Sequence, residues 1–129
     1  MQNLDLPHLL LVNDTDFLLM GFAHQLCPYF NIHTALDGQE AVDLFNMQEP
    51  GFYQAVVLDI NMPRMNGIEA AKRILKKCED QPEAAPFLYF LSGDALEFVK
   101  DDIKDIPYAG YFSKLGLQDE IKMIVENSG

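Results

Sequence analysis

The chain has 129 residues, of which 49% are hydrophobic, so it can bury the core of about one ordinary domain. Its formal net charge of −11 argues against a nucleic-acid-binding surface, which needs a basic patch to contact phosphates. No apolar run approaches the roughly 18 residues of a membrane-spanning helix, and the N-terminus lacks the pattern of a secretion signal. We therefore expect a cytoplasmic domain that contacts neither nucleic acid nor membrane directly.

Charge and cysteine usage add two further expectations. Residues 1–63 carry eight acidic residues and no Lys or Arg, whereas residues 64–129 carry twelve acidic and nine basic residues. An acidic first half suits either a cation site or simple solubility, and charge alone leaves both open. Cys27 and Cys78 are too far apart for a metal or redox motif, so we expect buried free thiols in a reducing compartment.

Apolar runs alternate with helical patterns along the whole chain. The runs that predict strands are 8–12, 30–35, 52–58, 87–91 and 108–112. The segments with helical spacing are 15–27, 38–48, 66–78, 95–104 and 117–127. Four of the five strands lack period-two alternation, which is typical of parallel strands covered on both faces. The pattern predicts an α/β fold, a doubly wound five-stranded parallel sheet between two helical layers. We expect a single domain over 1–129, with its core at about 7–127.

Polar residues follow the predicted strands at the points where ligands of such sheets bind, beyond the carboxyl ends. Asn13 and Asp14 follow the first strand, Asp59 the third, Ser92 the fourth and Lys114 the fifth. Two carboxylates, a hydroxyl and an ammonium would therefore meet at one edge of the sheet. These groups suit a phosphoryl group and a metal ion.

The chemistry expected of this set is phosphoryl transfer. A carboxylate at a strand end, such as Asp59, can attack phosphorus and form an acyl phosphate. Asp14 and Asp59 would repel each other unless a cation lies between them, and Mg²⁺ fits because it takes a few carboxylate oxygens and keeps waters. Asn61 would add its backbone carbonyl. Taken singly, each carboxylate could instead be a helix cap, Ser92 a turn residue and Lys114 a solvated one, so only the combination indicates function.

Two segments resemble motifs of a known family. Asp59–Gly67, with the sequence DINMPRMNG, resembles the phosphoacceptor motif of the receiver domains of two-component response regulators. Asp37–Ala41, with the sequence DGQEA, resembles the start of their second helix. The spacing of the polar residues also suits the family, and the resemblance covers essentially the whole chain. It implies the (βα)5 flavodoxin-like receiver fold.

The resemblance also implies roles for individual residues. Asp59 is then the phosphoacceptor, and Asp14 holds Mg²⁺ together with Asp59 and Asn61. Ser92 is the switch hydroxyl, and Lys114 pairs with the phosphoryl group. Tyr111 is the aromatic residue of the fifth strand that turns inward after phosphorylation.

Two positions depart from the family pattern. Asn13 stands where the family usually has a second acid, so it is a further candidate ligand but removes one negative charge, and we expect a lower affinity for Mg²⁺. Leu115 follows Lys114 where the family usually has proline in a cis peptide. Because a non-proline cis bond costs about 2.5–4 kcal/mol, we expect a trans bond there.

The function implied is signalling, with no catalysis beyond self-catalysed phosphotransfer and autodephosphorylation. A histidine kinase or histidine phosphotransfer protein would supply the phosphoryl group, and an unknown downstream protein would read the altered surface. Asn61 and Asp94 would flank the water that attacks the acyl phosphate, which predicts a short-lived phosphorylated form. Phe17 and Met20 form an apolar stripe on the first helix, where we expect the phosphodonor to dock.

Two other interpretations stay open. The chain could be a degenerate receiver that binds partners without being phosphorylated. Alternatively, Asp14-Thr15-Asp16 resembles the nucleophile motif of haloacid-dehalogenase-type phosphatases, which would make Asp14 the nucleophile. That family expects Thr or Val where Leu18 stands, and it needs room for a cap that this length does not provide.

Overall fold

The computed structural model describes residues 6–14, 16–62, 65–93, 96–113 and 118–128. The strands are β1 (His8–Val12), β2 (Asn31–Ala35), β3 (Tyr53–Asp59), β4 (Phe87–Ser92) and β5 (Gly110–Ser113). The helices are α1 (Asp16–Leu26), α2 (Gly38–Asn46), α3 (Gly67–Lys77), α4 (Leu96–Ile103) and α5 (Gln118–Ser128). A short 3-10 helix, Pro82–Ala84, precedes β4. Every predicted strand and helix is confirmed, with ends that differ by no more than two residues. In these ranges no helix is long and apolar enough to cross a bilayer.

All neighbouring strands are parallel, in the order β2-β1-β3-β4-β5. The chain runs outward from β1 to β2 in one direction, then from β3 to β5 in the other. Strand order therefore reverses between β1 and β3, which is where ligands of doubly wound sheets bind. The predicted doubly wound parallel sheet is confirmed.

The core has one layer on each face of the sheet. Leu10, Val12 and Leu58 point to the face covered by α2, α3 and α4. Leu9 and Leu11 point to the opposite face, among buried side chains of α1 and α5. Because both faces are covered, successive residues of a central strand are all buried, and this explains the near-continuous apolar runs of the sequence.

Side-chain caps fix the starts of two helices. The Asp37 carboxylate accepts a hydrogen bond from the backbone N–H of Glu40 (2.8 Å) and begins α2. The Asn66 side chain accepts one from the backbone N–H of Glu69 (2.9 Å) and begins α3. A cap residue followed three positions later by glutamate satisfies backbone donors that the first turn leaves without partners. Both starts lie at the carboxyl edge of the sheet.

The two cysteines differ from the expectation of two buried thiols. Cys78 is buried, as predicted, but Cys27 is exposed, so the prediction was wrong for that residue. Cys27 lies one residue beyond the end of α1, where the chain turns over the surface, and its thiol donates to the backbone carbonyl of His24 (3.3 Å).

Candidate functional site

Register brings polar residues of three adjacent strands together at the carboxyl edge. Leu91 of β4 pairs with Asp59, the last residue of β3, so Ser92 lies one position further along the neighbouring strand. On the other side Val12 pairs with Leu58, so Asn13 continues alongside Asp59. The structure therefore joins Asn13, Asp59 and Ser92 at one edge, as the sequence predicted.

The extent of burial distinguishes these residues from the polar residues of an ordinary surface loop. The side chains of Asn13, Asp59 and Ser92 are fully buried, whereas Asp14 and Asn61 are exposed. A buried carboxylate is costly unless charges or donors compensate it, and the backbone N–H of Asn61 donates to Oδ1 of Asp59 (3.2 Å). Because buried charges in proteins are generally paired or bound to metals, Asp59 differs from a solvated carboxylate of a surface loop.

Two glycines are required by the close approach of backbone segments around Asp59. A Cβ at Gly67 would collide with the backbone carbonyl oxygen of Asp59, and the N–H of Gly67 donates to the carbonyl of Ile60 (3.1 Å). A Cβ at Gly38 would collide with the backbone carbonyl of Met65, which accepts from the N–H of Gly38 (3.0 Å). Gly38 therefore joins the segment DGQEA to the segment DINMPRMNG, whereas Gly67 closes a contact within DINMPRMNG itself. The contact between the two segments was not predicted from the sequence, although the glycine that follows Asp37 was the available signal.

Two of the other predicted site residues fall within the described part of the chain. Met20 of α1 is 73% exposed, as predicted. Tyr111 is half-buried and pairs in register with Phe90. It packs on the core layer covered by α2, α3 and α4, while the next residue, Phe112, stacks on Tyr89 in the opposite layer (5.5 Å between ring centroids).

Several predictions lie outside the described residues. Lys114 and Leu115 follow the last described residue of β5, so the lysine's position and the trans bond between them stay predictions. Asp94 is also outside the described residues, as is the side chain of Phe17.

Helix α4 has an exposed apolar feature that the sequence analysis missed. Val99 and Ile103 are buried against the sheet, but Phe98 is 76% exposed. The available signal was helical spacing, because Phe98 lies about 100° around the helix from Val99 and so outside the buried stripe that Val99 and Ile103 define. An exposed aromatic side chain on the face of the sheet where Tyr111 lies is suited to contacting another protein.

Comparison with known proteins shows the family. The family model "Response regulator receiver domain" matches residues 9–126. The chain is 29% identical over 91 residues to the peroxide stress-activated histidine kinase mak1 of Schizosaccharomyces pombe, covering 70% of this chain and 6% of that protein. It is 37% identical over 70 residues to the transcriptional regulatory protein PdtaR of Mycobacterium tuberculosis, covering 53% of this chain and 33% of that protein. The chain thus spans a minor part of the length of these relatives.

Solved structures show the same fold. Chemotaxis protein CheY4 of Vibrio cholerae has a TM-score of 0.78 at 20% identity, with 96% of this chain and 99% of that chain covered. The CheX–CheY–BeF3–Mg complex of Borrelia burgdorferi contains a chain with a TM-score of 0.78 at 25% identity, with 94% and 88% covered. Together with the family match over residues 9–126, these findings show that the chain belongs to the response regulator receiver domain family of two-component signalling.

Proposed function

We propose that this chain accepts a phosphoryl group on Asp59 from the phosphohistidine of a histidine kinase or histidine phosphotransfer protein. The observation that carries this proposal is the fully buried carboxylate of Asp59 at the end of the central strand β3. Membership of the receiver family supports the same role. In this reaction an Asp59 oxygen attacks phosphorus, the phosphorus–nitrogen bond of the donor breaks, and the imidazole leaves with its electron pair and takes up a proton. The product is an acyl phosphate.

The donor atoms at this edge fit Mg²⁺. The ion accepts one or two carboxylates and keeps several waters, which matches Asp59 together with the exposed Asp14 and the backbone carbonyl of Asn61. Within the described ranges no three His, Cys, Asp or Glu side chains cluster as metal ligands, so the proposed shell consists of two carboxylates with backbone and water oxygens. When bound, the ion neutralises charge on the phosphoryl oxygens. Asn13 contributes an amide in place of a second carboxylate, so we expect weak binding.

The remaining groups stabilise and report the phosphorylated state. In this proposal the hydroxyl of Ser92 and the ammonium of Lys114 bind the phosphoryl oxygens. Movement of Ser92 frees space for Tyr111, which turns toward the sheet and alters the surface beside α4. The burial of Ser92 and the half-buried position of Tyr111 on the same face as α4 support this order of events.

Mass spectrometry tests the site directly. The protein is incubated with acetyl phosphate or phosphoramidate and Mg²⁺, and we expect one added phosphoryl group that Asp59→Asn abolishes. Asp101→Asn, which changes an exposed acid of α4, is the matched control and should retain the adduct. A normal adduct in Asp59→Asn would contradict the proposal. An adduct mapped to Asp14 would favour the phosphatase interpretation, and a folded wild-type protein without any adduct would favour a phosphorylation-independent binding module.

Donor docking needs a second experiment. We propose that Phe17 and Met20 contact the helices of the phosphodonor, and the exposure of Met20 supports this. Phe17→Ser and Met20→Ser should slow transfer from a protein donor but leave labelling by acetyl phosphate unchanged. Met123→Ser, at a partly exposed methionine of α5, is the control and should leave both rates unchanged. Equal loss with both donors would point to a folding defect.

The lifetime of the phosphorylated state depends on groups beside the incoming water. We propose that Asn61 and Asp94 hydrogen-bond this water and orient it, which gives a short-lived phosphorylated form. Asp94→Leu should slow decay of the isolated phosphoprotein in the presence of Mg²⁺. Decay as fast as in the wild type would leave Asp94 with no role beyond capping α4.

A further inference from the structure

Helix α3 concentrates positive charge that the proposed function does not use. The chain has nine Lys and Arg residues, and four of them lie within the six residues 72–77 of this helix. All four are exposed, because the opposite stripe, with Ala70, Ala71 and Ile74, is buried against the sheet. We call Lys72, Arg73 and Lys76 the basic ridge. In a protein with a net charge of −11, so local an excess of positive charge needs an explanation.

Structural roles account for only part of this charge. Lys77 donates to the backbone carbonyl of Asn46 (2.7 Å) and so satisfies an acceptor at the end of α2. Lys76 and Lys77 lie in the last turn of α3, where positive charge favours the helix dipole, but Lys72 and Arg73 lie before it. The intrahelical support of Arg73 is an exposed ion pair with Glu69 (3.1 Å). Such an exposed pair is weak and exchanges readily for another carboxylate.

The ridge borders a groove between α3 and the end of α2. This groove has a volume of about 600 Å³ and is lined by Asn46 and Glu69 together with the ridge and Lys77. Met47, the next residue after Asn46, does not line the groove but is 76% exposed at the end of α2. The groove itself is lined by charged and polar side chains with an excess of positive charge, so the surface complementary to it is acidic.

The dimensions and surroundings of the ridge limit its occupant. Lys72 to Lys76 spans about 6 Å along the helix, at roughly 1.5 Å per residue. Duplex DNA carries a negative charge about every 1.7 Å, so it would extend far beyond this single turn. On the other side of α3, Lys72 lines a cavity together with Asp101, Asp102 and Asp105, so an extended polyanion or an anionic membrane would meet like charge there.

We propose that the basic ridge and Met47 form a docking surface for a short acidic segment of a protein partner. Two or three carboxylates of this segment pair with Lys72, Arg73 and Lys76, and an adjoining apolar side chain contacts Met47. The surface lies away from Asp59 on the outer face of α3, so binding here does not require phosphorylation. A second cavity, lined by Glu69, Arg73 and Met65, continues the groove toward the loop that follows β3. A longer segment would therefore reach the neighbourhood of the phosphorylation site.

The test uses a capped pentapeptide of three glutamates and two leucines, with a peptide of three glutamines and two leucines as the control ligand. Backbone amide shifts of the full chain are followed by NMR at low salt. We expect shifts confined to α3 and the end of α2, with no comparable shifts for the glutamine peptide. Because exposed ion pairs are individually weak, Lys72→Gln/Lys76→Gln should weaken binding about five-fold, and salt should weaken it further.

Control variants separate this surface from general charge effects. Lys104→Gln/Lys122→Gln removes two exposed lysines elsewhere and should leave the affinity unchanged. Met47→Ser should weaken binding, and Asp59→Asn should not, which keeps this test independent of the phosphorylation proposal. An equal effect of the two lysine pairs would overturn the inference. Ridge-dependent binding of a DNA duplex or of anionic vesicles in preference to the peptide, or ridge-dependent self-association, would also overturn it by assigning the surface to another occupant.

Discussion

The two edges of the sheet bury polar groups in different ways. At the carboxyl edge Asn13, Asp59 and Ser92 are buried where backbone segments approach so closely that glycine is required at Gly67. At the amino edge the buried amide of Asn31 donates to the backbone carbonyl of Leu6 (3.1 Å), and two half-buried histidines lie in a cluster of rings. Nδ1 of His8 lies 3.0 Å from Nε2 of His33, and the ring of His8 stacks on Phe52 (4.1 Å between ring centroids).

This difference predicts how each edge responds to substitution. A backbone contact cannot relax around an added atom, so changes at the carboxyl edge should have large effects. Rings in contact can lose or exchange single polar atoms while their apolar faces stay packed, so changes at the amino edge should have smaller effects. Three predictions test this comparison, and a fourth compares buried hydroxyl groups in the two core layers.

The largest effect is expected at Gly67. Gly67→Ala places a Cβ against the backbone carbonyl of Asp59, and because β3 is the central strand it cannot move aside. We expect a loss of about 3 kcal/mol in the free energy of unfolding, measured by urea denaturation. Gly21→Ala is the matched control, since an added Cβ there meets no atom within 4 Å. It should stabilise α1 by roughly 0.5–1 kcal/mol. Equal effects of the two substitutions would contradict the backbone explanation.

The next effect is expected at the buried carboxylate. Asp59→Asn removes a charge that is fully buried at the carboxyl edge, so we expect a gain of about 1–2 kcal/mol in unfolding free energy at neutral pH without metal. Mg²⁺ should stabilise the wild type more than the variant, since it binds the charged edge. Asp101→Asn, at an exposed position, should change stability by less than about 0.5 kcal/mol. Destabilisation by Asp59→Asn would mean that the carboxylate is more than compensated by its surroundings.

The next prediction compares the hydroxyl groups of two buried tyrosines, one in each core layer. No described residue forms a hydrogen bond with the Tyr53 hydroxyl, and burial raises its pKa. The Tyr89 hydroxyl accepts from Nδ2 of Asn127 (2.8 Å), and burial raises its pKa despite this bond. We expect Tyr89→Phe to destabilise by about 1 kcal/mol, whereas Tyr53→Phe should be neutral or stabilising. Thermal and urea unfolding measure both. A loss of similar size in Tyr53→Phe would show that its hydroxyl has a partner.

The sequence predicted the features that depend on local pattern. Apolar runs placed the strands within two residues, and the parallel topology then brought Asp59 and Ser92 to one edge. The sequence could not predict contacts between segments that are distant in the chain. The approach of Gly38 to Met65 and the pairing of His8 with His33 depend on register and on the path of loops, which composition does not encode. The exposure of Cys27 was mispredicted because the sequence does not show whether a side chain just beyond a helix end points toward the core or toward solvent.

The smallest effect is expected in the pH dependence of stability that arises at the amino edge. Burial, and then the neighbouring His8, lower the pKa of His33 below its ordinary value of 6.5. Tyr53 and Phe52, the other side chains in ring contact with His33, supply no negative charge that would favour its protonation at neutral pH. The folded state therefore favours neutral His33. As the pH falls through 6.5, His33 becomes protonated in the unfolded chain before it does so in the folded protein. The free energy of unfolding therefore has its full value above pH 6.5 and declines below it, until the pH has passed the lowered pKa of the folded state.

We expect this decline to disappear in His33→Phe, which keeps a ring in the cluster but cannot be protonated. Urea midpoints from about pH 8 to pH 5 measure the decline, taken as the difference between wild type and variant so that the carboxylates cancel. His24→Gln, which removes an exposed histidine of α1, should keep the wild-type profile. Because His33 is only half-buried, the difference should be smaller than that between the two tyrosine variants. Parallel pH profiles for wild type and His33→Phe would show that the stability of the fold does not depend on keeping His33 neutral.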